Sequence, residues 1–345
     1  MEHRTALGMF LALTVQRPVA SLKGRASLVA PSGNGTARRR AASRSPGLQT
    51  TSGLRASTAD RCASGALASV SVSLVDVDAN LLHPALIHDV DYHIQVASSV
   101  GVSQLVVPGS TLEDSRGALD LALRKPNVIF PTAGVHPYHV EEVGPLEDAM
   151  KVIADLATNE EVRCVGECGL DYSEGFPAAE LQLPWFERQV QLACELRKPL
   201  FLHERQAFGQ FTEVLRRYDS MHGLPPCLVH CFTGTAEELA VYMEMGFFVG
   251  VTGFICKGKR GEALRAAVKH VPLNRLMVET DAPYLGFPGC REGHSKPKQQ
   301  TPNVPSALPA VVRALSECLG LPFDEVARAT SQNSRAFFRI EEAVL

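Results

Sequence analysis

A closed (β/α)8 TIM barrel is the fold class that this sequence predicts, and three observations predict it. After Val70, eight short apolar, β-branched runs recur at a regular beat. Stretches with helical apolar spacing separate them, among them "AAELQLPWFERQVQLACELR" and "TAEELAVYMEMG". Six of the eight runs lead into a residue that can bind a metal or move a proton. Near-continuous apolar strands alternating with helices indicate a parallel sheet covered on both faces. Eight such units in about 210 residues suit a barrel, which typically needs ~250. A doubly wound open sheet usually carries a Gly-rich phosphate loop after its first strand, and "DVDANLLHP" is not one.

Strands are expected at Leu74–Val77, Gln104–Val107, Val128–Ala133, Val162–Gly166, Pro199–Leu202, Cys227–Val229, Phe247–Val251 and Leu276–Val278. The first leads into Asp78 and Asn80, and the third leads through "GVHP" to His136. "GECGLD" places Glu167 at the end of the fourth, and "LFLHER" places His203 after the fifth. "LVHCFTG" puts His230 after the sixth, and "MVETDAPYL" puts Asp281 after the eighth. In a parallel barrel all these ends surround one mouth, where barrel enzymes keep their active sites. Any one of these side chains alone is more often a hydrogen-bonded structural residue. Together, two His, a Glu and an Asp offer the hard oxygen and imidazole donors that one or two divalent ions require.

The bulk numbers narrow the field further. At 45% hydrophobic and 21% charged, the 345 residues hold ample material for a core. No apolar run approaches the roughly 18 residues of a membrane span. The net charge of −3 hides an asymmetry: residues 1–70 carry ten Lys and Arg against two acids, leaving 24 against 35 in the rest. An acidic body argues against broad basic capture of nucleic acid, so any such contact is local or metal-mediated. The nine cysteines form no C-x-x-C pair, and Cys164, Cys168, Cys227 and Cys231 sit in apolar runs. They read as reduced, buried small hydrophobes rather than zinc ligands or disulfides.

Residues 1–70 are rich in Ser, Thr, Ala and Arg, include "ARRRAASRSPG" and lack periodicity. That composition predicts a disordered, removable organellar address, plastid or mitochondrial, with 71–345 as the barrel. "TALGMFLALTV" has the length of a secretory h-region, so secretion is an alternative, as is a plain tail on a cytoplasmic protein.

"GVHP", "VGECGLDY", "LHER", "LVHCFTGT", "VTGFICKGKRG" and "VETDAPYL" resemble, in order and spacing, the TatD-type metal-dependent deoxyribonucleases of the amidohydrolase-like barrels. The resemblance runs from about Ser73 to Ile340. It implies metal-dependent hydrolysis of DNA phosphodiesters by a metal-activated water, commonly as a 3′→5′ exonuclease on single strands. By the same resemblance, Glu167 contacts or bridges the metals, and His203 and His230 ligate the second ion. Asp281 ligates the first and orients or deprotonates the water, which makes Glu167 and Asp281 the catalytic pair. His136 and Arg205 are similar to residues on the substrate side. The implied cofactor is one or two divalent ions, Mg2+ first and Mn2+ or Zn2+ as alternatives. The implied partner is DNA irrespective of sequence, with RNA as an extension and no stable protein partner.

The chain also departs from that pattern. Many relatives end the first strand with H-x-H, where this chain has Asp78 and Asn80. Asp78 restores a charged donor and Asn80 offers a neutral carbonyl, an edge that binds its ion weakly and favours hard Mg2+; alternatively Asp78 only caps a turn. Gln206 replaces an acid after Arg205, and Pro302 and Val304 replace a charge pair around Asn303. Lys257, Lys259 and Arg260 after the seventh strand, with Arg291, His294, Lys296 and Lys298 after the eighth, occupy the usual phosphate corner of such barrels. These loops are expected to grip a nucleic-acid backbone. The rival readings are a metal-dependent hydrolase of a small-molecule ester, lactone or amide, and a binding protein without catalysis.

Overall fold

The computed structural model describes residues 72–291 and 303–342. The expected address segment, residues 1–70, and the loop residues His294, Lys296 and Lys298 lie outside them. Eight parallel strands follow one another in chain order around a single sheet. They are β1 (Leu74–Asp76), β2 (Val102–Val107), β3 (Ile129–Ala133), β4 (Cys164–Asp171), β5 (Leu200–Arg205), β6 (Cys227–Val229), β7 (Phe248–Val251) and β8 (Leu276–Val278). The helices between and after them are α1 (Val90–Ser99), α2 (Leu112–Arg124), α3 (Leu146–Thr158), α4 (Ala179–Leu196), α5 (Phe208–His222), α6 (Ala236–Glu244), α7 (Glu262–Ala267), α8 (Leu308–Leu319) and α9 (Phe323–Phe338). This is the (β/α)8 architecture that the strand spacing predicts.

Local sequence explains where helices start. Thr111 accepts the Asp114 N–H at the head of α2, and Thr235 with Glu238 forms a reciprocal capping box on α6. The apolar faces of the helices join the outward faces of the strands in one large core.

Inside the barrel, the layers differ sharply. The lower interior is apolar, with Val75, Val106, Phe130, Cys164, Phe201, Leu228 and Met277 pointing inward from seven strands. The end of α9 closes this floor with Phe337, Phe338 and then Ile340. Above it lie buried Asp76, Asp78, Thr132, Glu167, His230 and Glu279. A dry floor beneath a polar layer leaves the C-terminal mouth as the place where charge collects.

The seam between β1 and β8 is held by side-chain and backbone bonds together. Asp76 Oδ2 accepts the Thr280 hydroxyl at 2.6 Å and its Oδ1 accepts the Thr280 N–H at 2.8 Å. Backbone bonds from Asp281 N to Asp78 O, 2.9 Å, and from Asn80 N to Ala282 O, 2.8 Å, extend the clasp toward the mouth.

One strand is longer than its apolar run. β4 continues past Gly166 to Asp171, paired with β5 through Gly169↔His203 and Asp171↔Arg205. A register shift between Val165 and Cys168 puts an extra residue on β4. A Cβ on Gly169 would collide with the His203 carbonyl, so glycine is what lets the two strands approach there. Glu167 therefore sits within β4, and Asp171 takes the strand end that the sequence assigns to Glu167.

Candidate active site

Glu167 Oε1 is the hub of the mouth. It lies 2.8 Å from His230 Nε2, 3.2 Å from His203 Nδ1 and 3.4 Å from His136 Nε2. The His203 Nδ1 and His230 Nε2 atoms are themselves 3.3 Å apart. β4, β5, the end of β6 and the loop after β3 each deliver one of these groups. The backbone turns sharply just beyond several of them: Gln206, Cys231 and Asp281 all have left-handed φ, at 55°, 47° and 52°. Such φ values are sparsely populated by non-glycine residues and concentrate where structure aims a side chain.

The three imidazoles are not equivalent. His203 Nε2 hydrogen-bonds Asp171 Oδ2 at 2.9 Å, which reserves the proton for that nitrogen and turns the Nδ1 lone pair inward. His230 Nδ1 lies 3.0 Å from Asp78 Oδ2 and 3.9 Å from Glu279 Oε2, while its Nε2 turns inward to Glu167. His136 is the reverse case. Its Nδ1 accepts the Tyr138 N–H at 3.1 Å, so in the neutral ring the proton sits on Nε2 and points at Glu167.

Electrostatics sharpen the contrast. Burial lowers the His136 imidazole to about 3, a neutral ring at any working pH. Burial also opposes the charged forms of His203 and His230, but Asp171, Glu167 and Asp78 outweigh it and raise both rings. Burial alone would raise Glu167, yet the imidazoles of His136 and His230 hold it well below the usual carboxylate range. Burial pushes Asp78 and Asp281 up, and pushes Glu279 up to about 8. Four carboxylates crowd one buried site, and two imidazoles cannot balance all of them.

The donor set fits a divalent cation. Asp78, Glu167 and His230 bring ligand atoms within 4.8 Å of one another, and Glu167 and His203 lie in a second such group with His136, whose Nε2 carries a proton. Asp78 Oδ2, His230 Nδ1 and Glu279 Oε2 are buried without a hydrogen bond of acceptable geometry. Buried polar atoms are rarely left so, and a bound cation would satisfy such oxygens. The carboxylates suit Mg2+ or Mn2+, and the imidazoles suit transition ions such as Zn2+.

Along the chain, residues 75–339 match the family described as TatD related DNase. The chain belongs to that family. It is 36% identical over 267 residues to a "3'-5' ssDNA/RNA exonuclease TatD" of Erwinia billingiae, covering 77% of this chain and 99% of that protein. An Edwardsiella piscicida protein of the same name is also 36% identical, covered in full. Among solved structures, the TatD homologue YJJV of Escherichia coli superposes with a TM-score of 0.70 at 26% identity, covering 78% of this chain and 99% of that one. This TatD-family chain is thus a nuclease-type hydrolase.

Of the remaining residues that the sequence singles out, those described lie on strand ends and loops at the same TatD-type mouth. Asp281 stands beside the cluster, its Oδ1 accepting from Asn80 Nδ2 at 3.1 Å. The same Asn80 nitrogen donates to Asp78 Oδ1 at 3.1 Å, so Asn80 turns its N–H groups, not the expected carbonyl oxygen, toward the acids. A donor between two carboxylates is the arrangement their charge demands. Arg205 is exposed at the end of β5. Lys257, Lys259 and Arg260 line a basic cleft of about 360 Å³ with Gly258, Gly286 and Pro288. The described cysteines are free, and burial pushes the Cys168 and Cys231 thiols up, away from nucleophilic thiolate.

Two residues of the mouth escape a reading of the sequence alone, and a third, Asn303, is noted there only as the residue kept between Pro302 and Val304. Asp171 orients His203, Glu279 receives the Cys231 N–H beside His230, and Asn303 fixes the loop that carries Asp281. Asn303 does so by donating to Thr280 O at 2.8 Å and Tyr284 O at 2.7 Å. Asp171 and Glu279 lie inside the motifs quoted above, and their one signal is position at a strand end.

Proposed function

We propose that this TatD-family chain is a 3′→5′ exonuclease of single-stranded DNA and RNA that works with Mg2+. The observation that carries the reading is the convergence of Glu167, His203 and His230 beside Asp78 and Asp281 at the barrel mouth. Support for substrate and polarity comes from relatives of that name, matched over nearly their whole length. Glu167, His203 and His230 would hold one ion, and Asp78 with Asp281 a second. When bound, such ions acidify a water and offset charge on the phosphate and the leaving oxygen.

The protein's own residues divide the remaining work. His136 presents a neutral Nε2–H, a hydrogen-bond donor suited to a non-bridging phosphate oxygen. Asp281, steadied by the Asn80 Nδ2–H, is the carboxylate placed to accept a proton from the attacking water. Lys257, Lys259 and Arg260 hold the flanking backbone in their cleft, giving contacts indifferent to sequence.

The test strips the full chain of metal and resupplies Mg2+, Mn2+ or Zn2+. Nucleotide release is followed from 3′- and 5′-labelled single strands, with Glu167→Ala and Asp281→Asn as controls. Metal-dependent shortening from the 3′ end, abolished in both variants, is the expected result. Metal binding without cleavage of any oligonucleotide would refute it and favour small-molecule esters.

A further inference from the structure

The nuclease reading leaves unexplained why large aromatic rings stand in water around the mouth. Among the described residues, six large apolar side chains are exposed, and two of these are aromatic: Tyr138 at 48% and Tyr284 at 52%. Both follow a site residue directly. Tyr138 lies two positions after His136, and Tyr284 three positions after Asp281. Isolated exposed apolar residues are ordinary on a protein surface, so exposure alone says little. The placement and support of these two rings say more.

Each ring is held, yet about half its surface meets solvent. Tyr138 crosses Phe176 at 79° with centroids 5.3 Å apart, and Tyr284 crosses His83 at 77°, also at 5.3 Å. Their backbones are pinned as well. Tyr138 N donates to His136 Nδ1, and its turn begins with Pro137. Tyr284 N donates to Asp281 O at 2.7 Å, and Tyr284 O receives Asn303 Nδ2. Rings fixed this way lose little freedom when they bind a flat partner.

Both rings also connect to the cluster. On one arc of the mouth, rings run continuously from His203 to His136, 4.5 Å, to Phe176, 6.1 Å, and out to Tyr138. On another arc, the Tyr284 N–H bond to the Asp281 carbonyl starts the turn that carries the ring from the site carboxylate itself.

We propose, resting on the nuclease reading, that Tyr138 and Tyr284 stack on nucleobases flanking the phosphate under attack and so select single strands. Every base has a π face, so stacking on aromatic side chains tolerates any sequence. In a duplex those faces are already covered by neighbouring bases, and the rings have nothing to grip. The basic cleft of Lys257, Lys259 and Arg260 reads only charge and makes no such distinction.

The experiment compares kcat/KM on a single-stranded oligonucleotide with that on the same oligonucleotide made abasic at its three 3′-terminal nucleotides. Wild-type protein should prefer the intact strand. In Tyr138→Ala or Tyr284→Ala that preference should fall roughly five- to a hundredfold, mainly through KM. Tyr→Phe at either position should keep it, which a lost hydroxyl contact would not. The proposal is overturned if the preference persists in the Tyr138→Ala/Tyr284→Ala double variant, or if wild-type protein shows none. Should wild-type protein cleave no oligonucleotide with any metal, the nuclease reading itself falls, and this one with it.

Discussion

Replacing Asp171 with Asn takes one charge from the site and leaves its shape. The Asp171 side chain is 1% exposed, and its Oδ2 lies 2.9 Å from His203 Nε2. Its backbone is fixed independently, since Gln182 accepts its N–H at 2.8 Å and donates to its carbonyl at 2.6 Å. Its Oδ1 accepts the Ser173 N–H at 2.8 Å, a bond that an Asn oxygen can keep. The new amide nitrogen would then face His203 Nε2–H, donor against donor. The ring escapes by moving its proton to Nδ1, the nitrogen whose lone pair the metal needs, or by turning away.

The magnitude follows from two routes. A hydrogen bond to a charged group contributes about 1.5–3 kcal/mol. Outer partners of metal-binding imidazoles typically account for 10–100-fold in affinity, or about 1.4–2.8 kcal/mol. Mn2+ titrated calorimetrically into metal-stripped Asp171→Asn should therefore bind about 10–100-fold more weakly than to wild type. Far-UV circular dichroism should stay unchanged, because the Gln182 and Ser173 bonds survive. An affinity within twofold of wild type, in a protein where His203→Ala abolishes binding, would refute the role assigned to this carboxylate.

Metal-stripped protein should lose stability as pH rises from about 4.5 toward 8, and metal should rescue it more at pH 8 than at pH 5.5. Glu279 is pushed from 4.5 to about 8, by burial above all, with Asp78 and Asp281 moving the same way. A carboxyl whose folded value exceeds its unfolded one favours the fold only while protonated, so its contribution fades across that interval. The raised His203 and His230 act in the same direction above 6.5. A thermal shift on adding Mn2+ that is equal at the two pH values would contradict this. Neutralising Lys257, Lys259 and Arg260 together should flatten the dependence of log affinity on log salt by about 2, at ~0.7 per phosphate contact on single strands; an unchanged slope by fluorescence anisotropy would remove them from the interface. Phe338→Ala should cost about 3–5 kcal/mol in urea unfolding, because a fully buried ring is deleted from the barrel floor between Phe201 and Phe337. A cost below about 1 kcal/mol would mean that the floor collapses around the gap.

The barrel is legible because buried parallel strands are written as local apolar runs, and each run carries its own signal. Glu167, His203, His230 and Asp281 are legible because each interrupts or follows such a run with a group that burial would penalise. What stays hidden depends on pairing over long separations. Asp171 looks like loop until β5 is laid against β4, because Gly169 breaks the apolar pattern while permitting the close approach. The Asp76–Thr280 clasp spans 204 positions, and no local pattern announces it. Asn80 departs from its expected role for a similar reason: its amide can offer oxygen or nitrogen, and only the two neighbouring acids, one from the far end of the chain, decide which.

The histidines show most clearly what folding adds to composition. In sequence, His136, His203 and His230 are the same residue type at three strand ends, and only the family resemblance sets His136 on the substrate side and the other two among the ligands. In the fold, a backbone N–H fixes the proton of His136 and a carboxylate that of His203, so the first faces inward with an N–H and the second with a lone pair, while His230 stands between Asp78 and Glu167. A lone pair suits a cation and an N–H suits a phosphate oxygen, so the division of labour is set by what lies behind each ring rather than by the ring itself. The carboxylates behind the His203 and His230 rings belong to distant parts of the barrel, Asp171 to β4 and Asp78 to the seam beside β8. Holding both rings in register therefore requires the barrel to be closed, and the seam that closes it, with the Asp76–Thr280 clasp beside the Asp281 N–H bond to Asp78 O, also sets Asp78 and Asp281 against each other. Loosening the seam should therefore weaken the site and the fold together.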